Sequence, residues 1–115
     1  MQIIEEIANE GSSFYPTIYF WDEEGAAMTP TTLYWSLTDM NGNVINSRSA
    51  VNVAAPGTSL TIAFGSADLV VLGNDIASRL ITTYGTFTSG THGAGQTFLF
   101  QAKFNIHPKV GKRQS

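Results

Sequence analysis

Along residues 96–106 the side chains take turns: Phe98, Phe100, Ala102, Phe104 and Ile106 fall on one side, and Thr97, Gln101, Lys103 and Asn105 on the other. A period of two is what a strand needs when one face of its sheet is dry and the other wet. A helix would scatter the same phenylalanines around its circumference. Residues 79–87 form a second strand-like run, and Ser89-Gly90-Thr91-His92-Gly93-Ala94-Gly95 between them reads as a hairpin loop. The pattern predicts a chain built of antiparallel strands.

Elsewhere the same logic marks further strands. Phe14, Ile18 and Phe20 alternate with Tyr15, Thr17, Tyr19 and Trp21, and Pro16, which cannot donate to a ladder, belongs at an edge or a bulge. Leu33, Trp35 and Leu37 face one way and Tyr34 and Ser36 the other. Asp39-Met40-Asn41-Gly42-Asn43 follows as a hairpin turn, because Asn-Gly suits its left-handed positions, with residues 44–49 as the paired strand. Leu60, Ile62 and Phe64 give another alternating run. Residues 2–8 read either as an edge strand guarded by Glu5 and Glu6 or as a short helical turn. Only residues 66–73 change period: Ser66 as a cap, Asp68 in the first turn and Gly73 as a stop predict one or two helical turns. About seven or eight strands separated by regular turn signals imply an all-β sandwich as a single domain over residues 1–106, with 107–115 as a basic tail.

At 115 residues with no cysteine, the chain has length for one core and no disulfide or thiolate chemistry. Only 13% of residues are charged, and Ser, Thr, Asn and Gly fill the polar positions. This composition suits Thr-rich outer faces, or a homo-oligomer whose faces are covered by neighbours. The net charge of −3 is unevenly spread, with Glu5, Glu6, Glu10, Asp22, Glu23 and Glu24 near the start and Lys109, Lys112 and Arg113 at the end. The tail either frays or crosses to the acidic region of a neighbouring copy. Arg48, Arg79 and Lys103 alone on the body make no basic stripe for nucleic acid. No apolar run approaches the roughly 20 residues that span a bilayer, and the acidic start is unlike a signal peptide. The expectation is a protein made in a bacterial cytoplasm that binds neither nucleic acid nor membrane.

Candidate chemistry is sparse. His92 and His107 stand at opposite ends of one strand, badly placed to share a zinc ion or to serve a serine triad. Gly90, Gly93 and Gly95 open onto a strand, whereas a phosphate cradle opens onto a helix. Asp39 to Asn43 supplies oxygens at alternate positions but lacks the closing Glu of a calcium loop. No catalytic residue, cofactor or metal site is therefore expected. Tyr15, Tyr19, Trp21 and Tyr34 make the notable aromatic set. Such rings cover a partner protein, stack on sugar, or lie beneath another part of the same subunit.

Glu10-Gly11 before the first long strand, Asp22 to Gly25 at its end, Pro30, Trp35, Asp39 with Gly42, and the helical insertion near Asp68 together resemble small immunoglobulin-like structural proteins of tailed bacteriophages. The likeness runs over most of residues 9–106. It implies an immunoglobulin-like sandwich without the bridging cysteines, with Trp35 in the core of a central strand. It also implies a non-enzymatic virion component: a capsid decoration or cement protein bound to the major capsid protein or other virion proteins. A neck, tail or head-fibre part, or a carbohydrate-binding module, is the alternative. Candidate contact residues are Tyr15, Tyr19, Trp21, Tyr34, Lys109, Lys112 and Arg113.

Overall fold

The computed structural model describes residues 2–22, 24–71 and 76–108. Seven strands, β1 (Gln2–Asn9), β2 (Thr17–Tyr19), β3 (Thr32–Asp39), β4 (Val51–Asn52), β5 (Ser59–Thr61), β6 (Ala77–Ser89) and β7 (Gly93–His107), form two sheets. The larger has the order β1-β7-β6-β3-β4 and the smaller pairs β2 with β5. The β4-β3-β6-β7 strands and the β2-β5 sheet make an all-β, two-sheet sandwich. The alternation is realised between the sheets: Leu33, Trp35 and Leu37 of β3, Ile81 of β6, and Ala102, Phe104 and Ile106 of β7 are buried against Phe14, Ile18, Phe20, Ile62 and Phe64. Trp35 packs edge-on against Phe64 at 5.6 Å, so the ring takes the central core position without a disulfide beside it.

Several expectations change in detail. Residues 2–8 form a strand, but β1 runs parallel to β7, whereas the other strand pairs among the described residues are antiparallel. Around Pro16 the predicted long strand shrinks to three regular residues, flanked by isolated bridges from Phe14 to Phe64 and from Trp21 to Ala27. Pro16 brings no N–H, and its carbonyl instead accepts from Ile62 N at 3.0 Å.

The strand expected at residues 44–49 is not regular. Asn46, Ser47 and Ala50 adopt φ of 52°, 58° and 51°, which breaks the extended chain, and regular ladder pairing with β3 resumes only at β4. Left-handed backbone at Ser47 and Ala50 costs on the order of 1 kcal/mol each. The contacts of Arg48 and Asn46 described below hold the segment in place.

The helical prediction reduces to one 3-10 turn, Ser66–Leu69, capped by Gly65 and not by Ser66. Gly73, its expected stop, lies outside the described residues. β7 runs through His107, one residue into the stretch assigned to the tail, and His107 O accepts from Glu10 N at 2.9 Å.

The hairpin of β6 and β7 sets the shape of the molecule, whose extents are 58 × 24 × 24 Å. Its register holds from Ala77↔Ile106 to Phe87↔Gln96 and then slips by a bulge before Ser89↔Gly93. The turn is consequently shorter than the expected loop: Ser89 Oγ accepts from Thr91 N and His92 N at 3.1 and 3.0 Å and closes it. Gly85 meets β3 at close range, where an added Cβ would lie 2.0 Å from Thr32 O. Only glycine lets these two strands approach so nearly.

Candidate interaction surface

β2 carries Ile18 toward the core and Tyr19 away from it, which sends Tyr15 and Trp21 to the same outer side by alternation. Tyr15, Tyr19 and Trp21 are 60%, 53% and 48% exposed, and the Tyr19 and Trp21 rings lie 6.3 Å apart, tilted by 37°. Their cross-strand neighbours are small and uncharged: Thr17 shares a 2.8 Å hydroxyl contact with Thr61, and Tyr19 stands opposite Ser59. The small sheet therefore presents an apolar, aromatic outer strip with no charge from these residues.

Tyr34 does not belong to that strip. It points out of the other sheet, on the opposite side of the sandwich, and stacks on Tyr84 at 5.7 Å. The registers align Asn52, Tyr34, Tyr84 and Leu99 in one row across four strands. Tyr84 and Leu99 escaped the sequence reading for different reasons. Tyr84 is identified only by its cross-strand partner, whereas Leu99 is the apolar exception on the wet face of β7 and was legible as such.

The charged candidates separate as well. Lys109, Lys112 and Arg113 lie outside the described residues, as does Glu23. Glu10 Oε2 accepts from Val71 N at 2.9 Å, and Asp22 Oδ1 accepts from Glu24 N and Ala26 N, both at 2.9 Å. Glu24 Oε1 receives the Thr91 hydroxyl at 3.1 Å, tying the turn after β2 to the hairpin tip. These acids serve the chain's own backbone and loops.

Among the described residues, Asp68 is the buried charge, at 1% exposure. Its carboxylate accepts from Arg48 Nε at 2.9 Å, Arg48 Nη2 at 3.2 Å, Asn46 Nδ2 at 2.8 Å and Gly65 N at 3.0 Å. Burial pushes its pKa up as the largest single influence, but the bonds from Arg48, Asn46 and Gly65 and the Arg48 charge together outweigh it, and the group titrates below the ordinary carboxylate range. Arg48 also lies over the Trp35 ring, 5.9 Å from its centroid. All four acceptor contacts are internal, so the cluster fastens the 3-10 turn to the strained segment before β4.

Asp39 plays a smaller version of the same part. It accepts from Asn41 N, Asn43 N and Asn43 Nδ2 at 2.8, 3.0 and 3.0 Å, and the side-chain and backbone bonds from Asn43 are the main reason its pKa is lowered. The carboxylate of the former calcium candidate is thus turned inward as a cap for its own hairpin. Among the described residues, no three of His, Asp and Glu come together to hold a metal ion.

No family model, curated protein or solved structure matches this chain.

Proposed function

We propose that this chain is a non-enzymatic structural protein of a tailed-bacteriophage virion that docks on the capsid lattice through the outer strip of its small sheet. The observation that carries the reading is the exposure of Tyr15, Tyr19 and Trp21 side by side on an uncharged strip. Large rings left half in water on a rigid strand lose little conformational entropy when a partner covers them, which makes such residues effective anchors. The resemblance to immunoglobulin-like phage proteins supplies the virion setting. On a lattice, neighbouring copies raise the effective concentration, so modest contacts suffice.

The test is co-sedimentation of the purified chain with undecorated phage capsids. Wild type is expected to pellet with the particles, and Tyr19→Ala with Trp21→Ala to stay in the supernatant while remaining folded. No binding, together with absence of the protein from purified virions, would overturn the proposal. The paired Tyr19 and Trp21 rings also favour a sugar-stacking reading. A glycan array on which binding is lost in Trp21→Ala would select that reading in place of capsid docking.

A further inference from the structure

β7 has two neighbours along only half its length. β1 covers its outer edge from Ala102 to His107, and the ladder stops at Gln2↔Ala102. Among the described residues nothing pairs with the same edge over residues 93–101.

The direction of the open backbone groups follows from the registers. In β3 the odd-numbered residues turn toward the β4 side, since Leu37 N donates to Arg48 O at 2.8 Å and Val53 N donates to Leu33 O at 2.9 Å. Alternation through the pairs Leu37↔Ile81 and Ile81↔Ala102 then directs the even-numbered residues of β7 to β6 and the odd-numbered ones outward. Glu10 N bonding to His107 O on the β1 side agrees. Thr97 and Leu99 accordingly offer N–H and C=O groups to the open edge.

Natural edge strands are usually blunted by charge, proline or brevity. β4 is two residues long, and β1 contains Glu5 and Glu6. Gln96-Thr97-Phe98-Leu99-Phe100-Gln101 has neither charge nor proline, and its central residues have high β-propensity. It also has apolar surface to cover on both faces: Leu99 is 61% exposed on the outer face, and Phe98 and Phe100 are only half-buried on the inner one. The bulge beside Gly95, with φ of 78°, bends the hairpin tip away from the line of the strand.

We propose that the open edge of β7 is a self-association surface, on which residues 95–101 pair antiparallel with the same residues of a second copy about a two-fold axis at Phe98. Every two-fold register centred on a residue pairs outward groups with outward groups, and the axis at Phe98 is the one that also sets this ring against its counterpart. Outward groups must face outward groups, so Thr97 meets Leu99 of the second copy and Leu99 meets Thr97. Phe98 faces its own counterpart across the axis on the inner side, where closely spaced aromatic pairs are favourable. In this register residues 95–101 of the two copies face each other, and residues 90–94 fall beside the edge that β1 occupies in the other copy, so the bulge at Gly95 must carry each hairpin tip past that strand. A two-fold contact of this kind closes on itself and joins the two larger sheets into one, leaving the aromatic strip of β2 free. The inference stands independently of the capsid reading, because it concerns a different edge and a different partner.

Sedimentation analysis of the full chain with amide hydrogen exchange tests it. Wild type is expected to sediment as a dimer with slow exchange at Thr97 and Leu99. Leu99→Pro removes an N–H that takes no part in the ladder to β6, and Leu99→Lys places two charges beside the axis. Both are expected to sediment as monomers, with rapid exchange at Thr97. Leu99→Lys, at an exposed position, keeps the test valid if the proline variant fails to fold. A wild-type monomer with rapid exchange at both amides would overturn the proposal, as would a dimer that persists in Leu99→Lys.

Discussion

The two halves of β7 obey the same alternation and meet different fates. In the half beside β1, Ala102, Phe104 and Ile106 are at most 1% exposed, and the Phe104 ring lies 5.2 Å from Phe14 and 5.7 Å from Phe64. In the half toward the hairpin tip, Phe98 and Phe100 keep part of their surface in water, although both pack near Phe20 at 5.8 and 6.0 Å. The local sequence is equally apolar in both. What differs is the cover: β1 pairs along the first half and Phe14 and Phe64 pack on Phe104, and no described residue continues β1 along the second. Burial is a property of neighbours, and a strand's own pattern specifies only which side asks for them.

Substitutions can break or sharpen that contrast. Phe104→Ala opens a cavity where the walls cannot collapse and is expected to cost about 4 kcal/mol, read as a lowered midpoint in urea unfolding. Asp68→Ala strips the partner from Arg48 and releases the left-handed segment, with an expected cost of about 3 kcal/mol by the same measurement. Phe98→Ala removes a ring already half in water, and about 2 kcal/mol is expected because solvent fills part of the space. An equal loss for Phe98→Ala and Phe104→Ala would abolish the distinction between the two halves.

Acid provides a gentler probe of the closed half. The folded-state pKa of Asp68 is depressed, so its contribution to stability is fully present above the unfolded carboxylate value and is lost as pH falls through the folded value. Unfolding midpoints followed downward from neutrality are expected to drop below about pH 4, with a flatter profile in Asp68→Asn. Leu99→Lys is the smallest effect, within about 0.5 kcal/mol of wild type when both are compared as monomers, because the replaced side chain is largely in water.

Much of the sandwich was legible from residues alone. The alternation at Leu33, Trp35 and Leu37 and at Phe98 to Ile106 is a local consequence of strand geometry. The turn at Asp39 to Asn43 is likewise local, with Gly42 at φ of 90° and the carboxylate of Asp39 capping it. The candidate surface was legible only in part. Tyr15, Tyr19 and Trp21 share a face because they share a strand, but Tyr34 was grouped with them on residue type, and its side of the sandwich depends on which sheet β3 joins.

Where long-range partners intervene, local signals lost. Residues 44–49 carried an acceptable strand pattern, yet the pull of Asp68 on Asn46 and Arg48 bends the chain through positive φ before pairing resumes. Gly85 is required because β3 approaches within contact distance, which no local pattern marks. The parallel placement of β1 was equally invisible, since parallel and antiparallel edge strands share the same alternation.

By itself, then, the order of amino acids determined the period of two, the turns and the sides on which apolar residues gather, because these depend on backbone geometry over a few residues. Tertiary structure alone decided which aromatics are neighbours, which acid is buried and which length of β7 is left open. Those outcomes depend on contacts between segments far apart in the chain, whose geometry no short window of sequence contains.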